Sequence, residues 1–137
     1  MAPTARQAHD QAGHGDTVIG WKLDPEQRME LLQQFPPRYP VVVADHVTLR
    51  AHASADAMLP EETHGEIVGR ADDGQGVEAM VVQIAGSTDR PDGGTYHITW
   101  SLADGREANE SNDVLKGRRW QSFDLPMPVR LLPARFP

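Results

Sequence analysis

The chain has 137 residues, 39% hydrophobic and 24% charged, which suits a single domain with a core of its own. A net charge of −7 argues against a general basic field for long duplex nucleic acid, and the absence of Cys excludes disulfides, thiol nucleophiles and thiolate metal sites. No apolar run approaches bilayer-spanning length and no secretion signal opens the chain, so a cytoplasmic protein with no membrane partner is expected.

Residues 1–16 are rich in Ala, Gln, Gly, His and Asp without apolar periodicity, and read as a disordered tail in which His9 and His14 are idle. The ordered domain is expected to span 17–137. Thr17 to Leu23 has strand composition, with Gly20 marking a bulge or a close backbone approach. Asp24 then caps a helix with Pro25 at its first position and Gln27 three residues after the cap. Met29, Leu31, Leu32 and Phe35 form its apolar side, and Pro36-Pro37 end it.

Arg38-Tyr39-Pro40 connects to a strand over 41–50, and Ala51 to Glu62 reads as a loop or a short helix. Gly65 to Ala71 and Val77 to Ala85 flank the turn Asp72-Asp73-Gly74-Gln75-Gly76, a hairpin signal. Ser87 to Gly94 is an exposed loop, and Thr95 to Leu102 the next strand. Ser111-Asn112-Asp113 caps a short helix that Gly117 stops. From Trp120 to Phe136 the chain is apolar but proline-rich, which suits an edge strand or an extended surface return. The sum is an α+β domain with a mostly antiparallel sheet and one or two covering helices.

Two of these strands carry the same pattern. His46-Val47-Thr48 and His97-Ile98-Thr99 each place a His and a Thr on one face and an apolar residue on the other, because strand side chains alternate. Laid side by side, the strands would offer two imidazoles and two hydroxyls to one cleft that suits a phosphate. The alternative is a pair of ordinary strand histidines. Charge is uneven as well: residues 106–137 carry a net +2 against −9 for the first 105. Lys116, Arg118 and Arg119 therefore form either a phosphate-binding patch or a solvated turn.

Other chemistries find no motif. The phosphate-binding Gly-x-x-x-x-Gly-Lys-Ser/Thr loop, Gly-x-Gly-x-x-Gly, His-Glu-x-x-His, Gly-x-Ser-x-Gly and His-x-His-x-His are all missing. A metal site built from His46, His52, His64 and His97 with Asp45 matches no recognised spacing.

The paired His-apolar-Thr strands resemble the two-histidine (2H) phosphoesterase superfamily, and most closely the cyclic phosphodiesterase domain of fungal-type tRNA ligases. In that domain a Ser-Asn and a Leu-rich helical turn follow the second motif, as Glu110-Ser111-Asn112-Asp113-Val114-Leu115 does here. The likeness covers roughly Gly20 to Leu115. The motifs lie only 51 residues apart, which implies a compact, two-lobed member with trimmed loops. No ligase lysine motif or kinase phosphate loop is present, so a tRNA ligase's other activities are not implied.

The resemblance implies hydrolysis of 2′,3′-cyclic phosphates without metal or cofactor, on RNA 3′ ends or small cyclic nucleotides. His97 would activate water and His46 protonate the departing ribose oxygen, in an assignment of acid and base that the sequence leaves open. Thr48 and Thr99 would bind the non-bridging oxygens, Tyr96 or Trp100 would stack on a base, and Ser111 and Asn112 would either assist binding or cap the helix. Trp100 falls on the face opposite Thr99, which points it to the core. The rival expectation is a noncatalytic module that binds a nucleotide or an RNA end.

Overall fold

The computed structural model describes residues 2–116 and 120–136. Strand and turn chemistry dominate it. In chain order the elements are α1 (Ala5–Asp10), β1 (Thr17–Leu23), α2 (Pro25–Gln34), β2 (Val41–Val42), β3 (His46–Ala53), β4 (His64–Asp72), β5 (Val77–Gln83), β6 (His97–Leu102), α3 (Glu110–Lys116) and β7 (Gln121–Phe136). All strand pairs are antiparallel, in the order β2-β6-β3-β1-β7-β4-β5, and β5 pairs back onto β6. Six strands thereby close into a barrel, with β2 continuing the line of β3 along β6. Closure removes the exposed edges that an open sheet would present. The expected α+β, mostly antiparallel architecture is what forms.

The barrel is filled by the inward face of each strand: Ile19 and Trp21, Val47 and Leu49, Ile67, Met80 and Val82, Ile98 and Trp100, Val129 and Leu131. These residues alternate along their strands, so the intervening ones turn outward. The hairpin β4–β5 turns through Asp72 to Gly76, with Gly74 and Gly76 at positive φ. At its base Ser101 donates to the buried Glu78 at 2.6 Å, Arg70 lies 3.2 Å from the same carboxylate, and Arg38 and Tyr39 bind Asp72. That network pins the 38–40 connector over one end of the barrel.

Helix α2 begins as expected, with the Asp24 carboxylate accepting from the Gln27 backbone at 3.0 Å and Pro25 in the first turn. Its inward side is narrower than expected. Leu31 is buried and Leu32 and Phe35 pack on the core, but Met29 is 64% exposed. Among the described residues no helix is long and apolar enough to cross a membrane.

Three expectations are corrected. The expected disordered tail of 1–16 is ordered over its described residues: Thr4 and Gln7 make a reciprocal capping box for α1, and Ala5, Ala8 and Ala12 are buried. Alanines give a faint hydrophobic pattern yet allow close packing. The segment is further tied by Glu61 donating to the Pro3 carbonyl at 2.7 Å and Ser54 to that of Ala12 at 2.6 Å. Second, Ala51 to Glu62 opens as strand, since β3 runs on to Ala53.

Third, β7 is no edge strand. It lies between β1 and β4, and its neighbours share it in tandem: β4 pairs with residues 121–122 and 127–130, β1 with 131–136. Pro126 sits in the bulge between the two β4 registers, while Pro128 and Pro133 each have a strand partner on one side only. A proline needs one side free of ladder bonds, and this tandem arrangement provides it. The Gln27 side chain fills the open side at Pro128, donating to its carbonyl at 2.9 Å and accepting from the Arg130 backbone at 2.6 Å.

Candidate functional site

Strands β3 and β6 lie side by side, with Val47 opposite Ile98. Both residues are fully buried inside the barrel. Alternation then turns His46, Thr48, His97 and Thr99 to the outer wall, and extending the antiparallel register by one residue sets His46 across from Thr99 and Thr48 across from His97. All four line one cavity of about 330 Å³, together with Val18, Arg90, Asp92, Asn112 and Phe136.

A kink upstream aims the first motif. Val42 faces Ser101 and Val47 faces Ile98, so five residues of one strand span three of the other, and Ala44 absorbs the excess at φ 42°. The Arg28 side chain from α2 holds this bend by donating to the carbonyls of Ala44 at 2.7 Å and Val43 at 3.1 Å. Bulges of this kind re-aim side chains at functional sites. On the other side of β3, Gly20 lies in a register shift of β1, where a Cβ would stand 2.2 Å from the Val47 carbonyl oxygen. Both meanings of Gly20, bulge and close approach, are realised.

Each imidazole has one nitrogen occupied. Nδ1 of His97 is 2.7 Å from the Thr95 carbonyl, which only accepts, so Nδ1 carries a proton and Nε2 is left for the cavity. Burial lowers the His97 pKa below the ordinary imidazole value, and nearby Arg90 and His46 push the same way against the Thr95 hydrogen bond. His97 therefore favours the neutral form, which is a base. Nδ1 of His46 lies 3.0 Å from Asp45, whose same oxygen accepts from Lys22 at 2.6 Å. Burial alone would raise Asp45, but the Lys22 and His46 hydrogen bonds more than offset it and hold the carboxyl below its usual range. The ionised carboxylate orients the ring, and Phe136 packs against it with centroids 4.7 Å apart.

The hydroxyls differ. Thr48 makes no side-chain hydrogen bond among the described residues. Thr99 is 3.3 Å from the Ala108 carbonyl and 2.9 Å from the Ser111 hydroxyl. Ser111 is fully buried inside α3 and does not line the cavity; it bridges α3 to β6 through Thr99. It is neither a cap nor a direct contact. Asn112, the next residue along α3, does line the cavity and donates to the Asn109 carbonyl at 3.1 Å.

Tyr96 is corrected as a binding residue. It shares its strand face with Ile98 and Trp100, is 3% exposed, and meets Trp21 edge-on at 5.8 Å. Burial pushes its hydroxyl up to about 12. Trp100 is core as expected, its indole donating to the Phe35 carbonyl at 2.8 Å. His52 and His64 are not among the cavity residues. Of the basic patch, Lys116 borders an adjoining chamber of about 330 Å³ that shares Arg90, Asp92, His97 and Asn112 with the cleft. Arg118, Arg119 and the helix stop at Gly117 lie outside the described residues.

Arg90 and Phe136 were not foreseen. Arg90 sits in the loop before the second motif strand, where the only sequence signal is a lone cation ahead of Pro91-Asp92-Gly93-Gly94. Phe136 reaches the cavity because β7 pairs with β1 to its end, with Phe136 opposite Val18.

No family model matches the chain, and no curated protein or solved structure does. What the site can do rests on its own geometry: two imidazoles, two hydroxyls and a cavity of about 330 Å³.

Proposed function

We propose that this chain is a metal-independent phosphodiesterase of the two-lobed 2H type, hydrolysing 2′,3′-cyclic phosphates of nucleotides or RNA ends. The observation that carries the reading is the Val47–Ile98 pairing, which brings both His-x-Thr motifs to one cavity. On this reading β3 and β6 are the equivalent strands of two lobes that meet at the cleft.

Water attacks phosphorus as its proton passes to Nε2 of His97, whose burial favours the neutral base. The P–O bond to the 2′ or 3′ oxygen breaks, and Nε2 of His46 gives that oxygen a proton, so the product is a phosphomonoester. Asp45 keeps the His46 ring in place throughout. Thr48 and Thr99 donate to the non-bridging oxygens, which gain charge as water adds. For Thr99 this means releasing its long bond to Ala108 while Ser111 donates to it from behind.

The test is turnover of the four 2′,3′-cyclic mononucleotides, with and without chelator. Activity that persists in chelator and has a bell-shaped pH profile supports two-imidazole hydrolysis. Nucleotide binding without turnover, unchanged in His97→Ala, would instead support a noncatalytic binding module.

A further inference from the structure

The two imidazoles and two hydroxyls leave one requirement unmet. A cyclic phosphodiester already bears a negative charge, and attack by water places more on its non-bridging oxygens, yet none of those four groups carries a permanent positive charge. Among the described residues that line the cavity, Arg90 is the one Lys or Arg.

Arg90 is held there rather than dangling. Its side chain is 11% exposed, and Nε donates to Asp92 at 2.9 Å. Its backbone closes a tight turn: Arg90 donates to the Gly94 carbonyl and Gly93 to that of Arg90, both at 2.9 Å. Asp92 also accepts from the Gly94 backbone at 2.8 Å, so one carboxylate ties the turn and the guanidinium together. Glycine matters here twice, once for the turn and once for the guanidinium. Gly93 has φ 94°, and a Cβ on Gly94 would stand 2.6 Å from Nη2 of Arg90 and 3.1 Å from its Cζ and Nε. The guanidinium thus lies over bare backbone.

What remains of its hydrogen-bonding capacity is unspent. Nη2 makes a long 3.4 Å contact with Asn112, and Nη1 makes none among the described residues. A guanidinium has five donors in a planar fork that matches two phosphate oxygens, so the outer edge suits bidentate capture. Arg90 also borders the adjoining chamber with His97 and Asn112. Arg90 therefore lies on the wall shared by the cleft and the adjoining chamber.

We propose that Arg90 is the phosphate clamp of this site, gripping the two non-bridging oxygens through Nη1 and Nη2, with Asp92 and Gly94 as its positioning residues. This rests on the phosphodiesterase reading but adds the cationic donor that reading lacks, oriented by its ion pair with Asp92. It places the clamp in the loop before the second motif. Lys would supply charge without the fork, so Arg90→Lys retains only part of the function.

The experiment pairs turnover with binding. Arg90→Ala lowers kcat/KM for 2′,3′-cyclic AMP by about 10²–10³-fold, the range for losing one preorganised donor to a developing oxyanion, and added guanidinium restores part of it. Calorimetric titration with 2′-AMP and 3′-AMP shows affinity reduced about ten- to hundredfold, as for loss of a hydrogen bond to a charged group. Gly94→Ala displaces the guanidinium without removing it. Its φ lies outside the left-handed region and the clashing atoms are the end of a flexible side chain, so the fold survives. It weakens turnover and binding alone but adds nothing to Arg90→Ala.

Wild-type rates and affinities in folded Arg90→Ala, or losses from Gly94→Ala that multiply with those of Arg90→Ala, would overturn the clamp and leave the phosphodiesterase reading standing. Arg90-dependent binding of the monophosphates without wild-type turnover of any cyclic nucleotide would leave the clamp and remove the hydrolase. Neither binding nor turnover by the wild type would remove both.

Discussion

Replacing Ser111 by Ala separates a helix-packing role from a part in phosphate binding. The hydroxyl is fully buried and its one hydrogen-bond partner among the described residues is Thr99, 2.9 Å away. Thr99 keeps only the 3.3 Å contact to Ala108, so a nearly buried hydroxyl loses its better partner. A buried hydrogen bond contributes about 1 kcal/mol net. Alanine in place of serine returns roughly 0.5 kcal/mol of helix propensity, leaving a loss of about 0.5 kcal/mol. For a chain of this size that lowers Tm by roughly 2 °C, measurable by urea and thermal unfolding. Activity should fall further than stability alone explains. Without the Ser111 donor, Thr99 is drawn towards Ala108 and away from phosphate, and the expected loss is about tenfold in kcat/KM, or roughly 1.4 kcal/mol of barrier. A Ser111→Ala protein with the reduced stability but wild-type kcat/KM on every cyclic nucleotide would refute the reasoning that Thr99 is a ligand supported from α3.

Three other outcomes follow from burial. His97 has a folded pKa below the unfolded value of about 6.5, so the acid limb of the wild-type kcat/KM profile should lie below that pH. The same shift sets a stability window. Its contribution is complete above about 6.5 and is lost as pH falls through the folded value, so urea unfolding between pH 8 and 5 should show a steeper acid-side loss for wild type than for His97→Gln. Tyr96→Phe should leave kcat/KM unchanged, because the ring packs on Trp21 away from the cleft; a large fall in the rate of the folded variant would return Tyr96 to the site.

Much of the site was legible because strand periodicity is local. The His-x-Thr pattern sets one face whatever lies around it, and burial of Val47 and Ile98 settles which face is inside. The same rule would have removed Tyr96, which alternates with His97 onto the core side. The Asp24-Pro25 helix start and the Gly-rich hairpin were likewise set by local chemistry. What was not legible depends on distant partners. The tandem sharing of β7 by β4 and β1 depends on where those strands end, so its prolines misled. The docking of α1 relies on alanines, whose packing value appears only against a surface that fits them. Arg90 gains its role from a turn that folds it beside Asn112, 22 residues away.

The central claim is that His46 and His97 act together on one phosphate. The most direct measurement is hydrolysis of 2′,3′-cyclic nucleotides in the presence of chelator by wild type beside His46→Ala and His97→Ala, with unfolding curves to show that both variants fold. The account predicts wild-type turnover that is abolished in each variant. Turnover that survives both substitutions would contradict it.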